Sequence, residues 1–316
     1  MLSSIGNTPM VKLNKDTLFA KIEGANPFGS MKDRAAAFVI QQLWNQKTID
    51  KETEIIESSS GNFGIALAAV CSIYGLKFTC VTDPMISPAN KELLKLYGAS
   101  IIFASQRDEN GSFLSNRLSI IKRMLKNNNN TYWINQYNNE LMIKAYETSL
   151  AEEILSEKPD VAHVFIPVST CGCIAGLSRR LKSHNEKIHI IAVDIEGSCI
   201  FHHSPHIRHI PGMGAPITPQ NLEYAYIDDV VIVSEFECVT ECRKLVKQGI
   251  LSGASSGGTI AAVKKAFAKE KSPIVAIFPD RGDRYLDTVY NDDWCKKNIN
   301  GFARYLTDNL GLSLVV

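Results

Sequence analysis

The sequence predicts an α/β protein built on open, twisted, mostly parallel sheets, and three observations lead there. Short β-branched runs alternate with longer amphipathic segments, each run is almost continuously apolar, and glycine-rich turns sit where a run gives way to a helix pattern. FTCVTD (78–83) is the first clear run, followed by HVFIPVS (163–169), IHIIAVDI (188–195), VVIVS (230–234) and IVAIFPD (274–280). Unbroken apolar character marks strands buried on both faces, as parallel sheets covered by helices require. Segments of helical spacing, such as 88–97 and 257–269, lie between the runs and complete βαβ units. No repeat of the length used by solenoids or propellers recurs. The one low-complexity stretch, Asn127–Asn130, reads as a solvated loop.

Composition narrows the function classes. With 316 residues, 45% of them hydrophobic, the chain has length for two domains or one large one and for a substantial core. Thirty-four lysines and arginines against 33 aspartates and glutamates leave no basic field for nucleic acid or anionic membrane, so the expected partners are small molecules. Eight cysteines are too sparse for a disulfide framework, and Cys171/Cys173 and Cys238/Cys242 lack the paired clusters of a structural zinc site. No bound metal is expected. MLSSIGNTPMVKL lacks a charged region followed by an apolar stretch, and nowhere do about eighteen apolar residues run together. A soluble, cytoplasmic protein with reduced thiols is the expectation.

Four turns place glycine and small hydroxyl residues at strand-to-helix junctions: NPFGSMKDR, SSSGNFG, VSTCGCIAG and LSGASSGGT. In open α/β sheets these positions rim the crevice at the carboxyl ends of strands, where ligands bind. A structural turn suffices to explain any one of them; four together suggest a shared pocket. VSTCGCIAGLSRRLKSH runs through a compact turn into a helix, so backbone N–H groups and a helix N-terminus converge on one anion. It is neither a Walker motif nor a GxGxxG fingerprint, which disfavours a nucleotide and leaves another phosphate-bearing cofactor. Lys32 stands between NPFGSM and the helix pattern DRAAAFVIQQLW. Partial desolvation and a positive helix end lower an amine's pKa and make it a Schiff-base nucleophile; taken alone, a solvated lysine is the better reading, and only its context reverses it.

Taken together, IGNTPMVKL, NPFGSMKDR, SSSGNFG, VSTCGC, IPGMGA and GILSGASSGGTIAA followed by PDRGDRYLDTVY resemble, in order and spacing, the cysteine synthase branch of fold-type II pyridoxal phosphate enzymes. The likeness spans roughly residues 4–290. It implies a tryptophan synthase β-like fold, with a smaller mobile N-terminal domain over about 26–138 and a larger cofactor-binding domain formed by 5–25 and 139–316. It also implies pyridoxal 5'-phosphate as cofactor, free amino acids as substrates and a homodimer. Carried over residue by residue, Lys32 becomes the internal aldimine and the base for the substrate Cα proton, and Asn62 the partner of the cofactor's 3'-oxygen. Ser169, Thr170, Cys171, Gly172 and Cys173 become the phosphate turn, and Ser255 the neutral partner of the pyridine nitrogen. Ser59, Ser60, Gly61 and Gln136 match the grip on the substrate carboxylate. The implied reaction is β-replacement through an α-aminoacrylate.

Three positions depart from ordinary cysteine synthases. Phe63 stands where a threonine usually helps bind the carboxylate, which predicts a more apolar pocket. Ser169 replaces a glycine, and Cys173 replaces a hydroxyl residue with a weak donor. With DPMISPAN, Arg117 in GSFLSNRL, WINQYNNE and PDRGDRYLD, these departures resemble the siderophore and antibiotic subgroup that makes N-(2-amino-2-carboxyethyl)-L-glutamate from O-phosphoserine and glutamate, en route to 2,3-diaminopropionate. In that reading Arg117, Tyr137 and Ser169 donate to the leaving phosphate; otherwise Arg117 lies on a solvated helix face and Tyr137 is packing. The rivals are a cysteine synthase using sulfide, a cysteine lyase releasing sulfide, and a non-catalytic binding relative. His202, His203, His206 and His209 read as a variable surface loop, Cys71 and Cys80 as core, and Glu57 and Asp83 as solvated or capping groups near the pocket.

Overall fold

In the computed structural model, which describes residues 1–13, 17–109, 111–201, 206–267 and 271–310, two sheets are joined by one apolar interior. The N-terminal strands β1 (Met10–Lys12) and β2 (Leu18–Ile22) precede helix α1 (Lys32–Asn45). A strict alternation follows: β3 (Glu54–Ser58), α2 (Asn62–Tyr74), β4 (Lys77–Thr82), α3 (Pro88–Leu96), β5 (Ser100–Phe103), α4 (Leu114–Asn127) and β6 (Thr131–Trp133). Helices α5 (Glu140–Glu147) and α6 (Leu150–Glu157) lead to β7 (His163–Pro167), α7 (Gly172–His184), β8 (His189–Ile195) and β9 (Asp229–Val233). The chain continues through α8 (Glu235–Val246), α9 (Ala254–Phe267), β10 (Ile274–Phe278), α10 (Asp292–Asn298) and α11 (Phe302–Leu310).

Four strands form one sheet in the order β5-β4-β3-β6, every pair parallel. Six form the other in the order β1-β2-β10-β7-β8-β9, parallel except for the β1–β2 hairpin. Both orders reverse once. In the small sheet the chain leaves β3 toward β4 and returns on the other side as β6; in the large one it leaves β7 toward β8 and returns as β10. At such reversals the connecting loops diverge and open a crevice. The loops concerned are 59–61 after β3, 134–138 after β6, 168–171 after β7 and 279–285 after β10.

All five residues of β10 are buried, as its unbroken apolar run predicts for a central parallel strand. The largest apolar cluster draws Val39 and Ile40 from α1, Leu67 from α2 and Ile55 from β3 together with Val164, Ile166, Ile190 and Val275 of the large sheet. Helix α9 starts at Ala254, three residues before the helical spacing becomes visible. The cause is packing against α8: a Cβ at Gly257 would overlap the Cys238 carbonyl oxygen, so a residue that reads as a turn sits inside a helix. All eight cysteines are free thiols, and Cys71 and Cys80 are core residues as read. Residues 311–316 of the expected larger domain lie outside the described residues.

Candidate active site

Lys32 is the first residue of α1, and the turn before it is tightly specified. Gly29 has φ +88° and packs against Arg284, so a side chain there would meet both backbone strain and a guanidinium. Met31 N–H donates to the Pro279 carbonyl at 2.8 Å, which ties the turn to the end of β10. Asp33 closes the turn from inside, accepting from Phe28 N–H at 2.6 Å and from the Ser30 hydroxyl at 3.2 Å. Burial pushes its carboxyl up to about 7 against these donors. Lys32 keeps partial exposure as a residue, yet dehydration of its amine pulls the pKa below the ordinary lysine range. The groups that oppose this shift are Cys173 and Cys171, so the fold brings Lys32 to the phosphate turn. Burial pushes Cys171 up to about 12 and Cys173 higher still. Both remain neutral thiols at neutral pH and do not hold the lysine as an ammonium.

The phosphate turn follows β7 and opens α7. Cys171 has φ +61°, a left-handed conformation that costs a non-glycine residue strain, at the N-cap of α7. Asn221, fully buried, fixes the turn: its Nδ2 donates to Thr170 O at 2.9 Å and Gln136 O at 2.8 Å, and its Oδ1 accepts from Asn139 N–H. Thr170 Oγ1 is buried with no partner among the described residues. Ser169 Oγ donates to Gly214 O at 3.2 Å, so its proton is directed at backbone. Ser255 lies buried in the first turn of α9, between Ser252 and Ser256, whose buried hydroxyls also lack partners among the described residues. Asn62 begins α2 and donates through Nδ2 to Asp280 Oδ2 at 2.6 Å.

Across the crevice, Ser59 serves its own turn: its Oγ accepts from Gly64 N–H at 3.0 Å and Gly61 N–H at 3.3 Å. Gly61 faces open space, with no atom within 4 Å of where a Cβ would stand, and Ser60 beside it is half-buried. Gln136 supports the turn from below, donating through Nε2 to Ser58 O at 2.8 Å. Phe63 is packed in the apolar interior. Arg117 is not on a solvated face: its side chain is 11% exposed and pairs with Asp83 at 3.4 Å. Its Nε is buried without a partner among the described residues. Glu57, also buried rather than solvated, accepts from Ser58 N–H, Trp133 Nε1 and Gln136 N–H. Burial pushes Glu57 up to about 7, with Arg117 among the groups that restrain the shift. Asp83 is buried too and accepts from Met85 N–H at 2.9 Å within the turn after β4, whereas Ser87 caps α3. Burial raises the Tyr137 phenol, which lies within reach of Arg117, Glu57 and Ser58 and stays protonated.

A family model for pyridoxal-phosphate dependent enzymes matches residues 1–280. The chain belongs to that family. Among solved structures, this pyridoxal-phosphate enzyme is 32% identical to an O-acetylserine dependent cystathionine β-synthase from Helicobacter pylori, with TM-score 0.85 over 92% of this chain and 98% of that one. It is also 32% identical to a hydrogen sulfide-producing enzyme from Fusobacterium nucleatum, with TM-score 0.83 over 90% and 98% of the two chains. An O-ureido-L-serine synthase shares 26% identity, with TM-score 0.82 over 93% and 98%. The fold-type II architecture, the cysteine synthase-like β-replacement class and the cofactor, pyridoxal phosphate, therefore stand as the sequence implied. The residues present fit that cofactor. An orphaned Thr170 hydroxyl beside free helix amides suits a phosphate, a dehydrated Lys32 amine suits an aldehyde, and buried Ser255 is an uncharged partner for a ring nitrogen.

Sequence reasoning missed three supports of this site. Behind Lys32, Arg34 is clasped by Glu23 and Glu153, and Lys21 joins the same cluster through Glu153 at 3.0 Å. Beside Asn62 stand Asp280 and Arg284, within the quoted PDRGDRYLD but given no role from sequence. Arg208 lies in the stretch read as a variable surface loop; His206 and Ile207 are exposed there, but Arg208 turns inward. It donates to Met213 O at 2.6 Å, presses against Gly214 beside the phosphate turn, and comes within electrostatic reach of Asp194 and Tyr137. Burial lowers its pKa, but an arginine remains a cation. The signal was a lone arginine just before a glycine turn. His209 pairs with Glu235 at 3.0 Å; His202 and His203 lie outside the described residues. Among the described residues no group of histidine, cysteine, aspartate and glutamate is arranged for a metal, and no helix is long and apolar enough to cross a membrane.

Proposed function

We propose that this enzyme replaces the phosphate of O-phospho-L-serine by the amine of L-glutamate, giving N-(2-amino-2-carboxyethyl)-L-glutamate and phosphate. The observation that carries the proposal is Arg117, a buried guanidinium near the crevice that pairs with Asp83 at 3.4 Å and whose Nε has no hydrogen-bond partner among the described residues. Planar guanidinium donors match a phosphate dianion in shape and charge. Arg208 and the protonated Tyr137 phenol lie in the same neighbourhood and add to the positive, donor-rich character expected around such a leaving group.

The roles follow from the chemistry of each side chain. Bound pyridoxal phosphate supplies the electron sink for charge developed at the substrate Cα. Lys32 Nζ, its pKa lowered by dehydration, takes the Cα proton. The Ser60 N–H and the Gln136 Nε2 proton not used on Ser58 O hold the substrate carboxylate, the Ser59 and Gly61 N–H groups being engaged by Val81 O and Ser59 Oγ. Arg117 and Tyr137 receive the phosphate as the Cβ–O bond breaks; the glutamate amine then forms the Cβ–N bond and sheds a proton, while Lys32 returns the Cα proton. Ser255, carrying no charge, leaves the ring nitrogen unprotonated, which suits a short elimination over wider carbanion chemistry. Residues 26–138 act as the moving unit that closes over the crevice and excludes water, and the enzyme works as a cytoplasmic homodimer.

A second reading, synthesis of cysteine from O-acetylserine or O-phosphoserine with sulfide, has the likeness to the O-acetylserine dependent and hydrogen sulfide-producing enzymes in its favour. Phosphate release from O-phosphoserine, measured with glutamate and with sulfide as second substrate, separates the two. The proposal expects glutamate to give the higher kcat/KM; a preference for sulfide overturns it.

A further inference from the structure

The Asn62 amide is held at both ends. Its Nδ2 donates to Asp280 Oδ2 at 2.6 Å, and its Oδ1 accepts from Arg284 Nη1. These partners leave no ambiguity about which end is which, because a guanidinium only donates and a carboxylate only accepts. An amide NH2 carries two protons and Asp280 takes one, so one N–H remains for a further acceptor, with the Tyr285 hydroxyl also within hydrogen-bonding range of the amide.

The two clamping residues are themselves braced. Tyr285 donates its hydroxyl to the same Asp280 oxygen that Asn62 uses. Asp280 Oδ1 is buried without a hydrogen-bond partner among the described residues and fills the space in front of Gly253, where a side chain would overlap it. Arg284 uses Nη2 on the Phe28 carbonyl, four residues before Lys32, and its guanidinium is close enough to steady the Asp33 carboxylate. One segment after β10 therefore grips the Lys32 turn and the first residue of α2 at once, although these follow strands of different sheets.

We propose that Asp280 and Arg284 are positioning residues that orient the Asn62 amide toward the cofactor ring and keep it in register with Lys32. The proposal concerns cofactor binding and does not depend on which nucleophile enters. Losing one hydrogen bond of this strength corresponds to about ten-fold in affinity.

The test uses the full chain and pyridoxal phosphate alone. Asp280→Ala and Arg284→Gln are each made in the wild-type and in the Asn62→Ala background, and the visible absorbance band and the dissociation constant for the cofactor are read. In the wild-type background each substitution should displace the band and weaken binding about ten-fold; in the Asn62→Ala background each should add less than about two-fold. Arg284→Lys, which keeps one donor, should recover part of the band, and Tyr285→Phe should displace it less than Asp280→Ala. An unchanged band and affinity in the wild-type background, or an undiminished effect without the Asn62 amide, overturns the proposal. If Asp280→Ala does not fold, the Arg284 and Tyr285 variants carry the same decision.

Discussion

Arg34 and Arg117 are both arginines taken out of water, and they differ in how completely the protein answers them. Arg34 donates through Nε and Nη2 to the two oxygens of Glu23 at 2.6 and 2.8 Å, and through Nη1 and Nη2 to those of Glu153 at 2.6 and 2.8 Å. Thr8 and Lys21 complete the cluster, with Lys21 Nζ donating to Thr8 O at 2.6 Å. Arg117, among the described residues, pairs with Asp83 at 3.4 Å and leaves its Nε without a partner. A saturated network in a low-dielectric setting is rigid, and it fixes the helix on which Lys32 stands. An unsaturated guanidinium is costly in the free protein and becomes worthwhile only when something else completes it. The contrast separates scaffold from site without reference to sequence.

The comparison is most exposed at Arg34. Arg34→Ala leaves Glu23 and part of Glu153 buried without their cation, and urea unfolding should show a loss of about 3–5 kcal/mol. A loss under about 1 kcal/mol would mean that the cluster is not the scaffold described. Arg117→Ala should act mainly on the reaction: kcat/KM for O-phosphoserine should fall about 100-fold, near 2.7 kcal/mol, with a smaller stability loss than Arg34→Ala. If stability falls as far as for Arg34→Ala while kcat/KM of the folded fraction holds, the two arginines are alike and the distinction is lost.

Glu57, beside Arg117, sharpens the same contrast by pH. Burial raises its folded-state pKa to about 7 from an ordinary 4.5, so the folded protein holds this proton more tightly than the unfolded chain. Stability from this group is therefore fully present below about pH 4.5 and is lost as pH rises through 7. Glu57→Gln should flatten the fall in unfolding free energy between about pH 5 and 7 by roughly 1–2 kcal/mol. Asp33, pushed up to about 7 as well, and Asp280, also raised by burial, contribute to the remaining slope. An unaltered slope in Glu57→Gln shows that the carboxylate is ionised in the fold throughout.

Much of this architecture is legible in the chain because burial on both faces writes itself as unbroken apolar runs, and those of β4, β7, β8 and β10 fall within a residue or two of their observed bounds; β9 also stands where its run predicts, but as an edge strand it exposes Asp229 and Val230 and is not buried on both faces. The three-residue strands β1 and β6 carry too few residues for any periodicity to register. Glycine punctuation exposes the turns at Lys32, Ser59 and Ser169, since a turn that meets a ligand needs small residues in consecutive positions. Charged supports are hidden for a physical reason: Glu23, Arg34 and Glu153 meet across 130 residues of chain, and each alone looks like a surface charge. Asp280 and Arg284 share that fate, because only the fold brings them to Asn62.

The account turns on the Lys32 amine as the attachment point of the cofactor. Borohydride reduction of the pyridoxal phosphate-loaded protein, followed by proteolysis and mass mapping, locates that attachment directly. A pyridoxyl group on the peptide that contains Lys32, absent from Lys32→Ala, is the expected result. The group on a different lysine, or no stable modification at all, contradicts it.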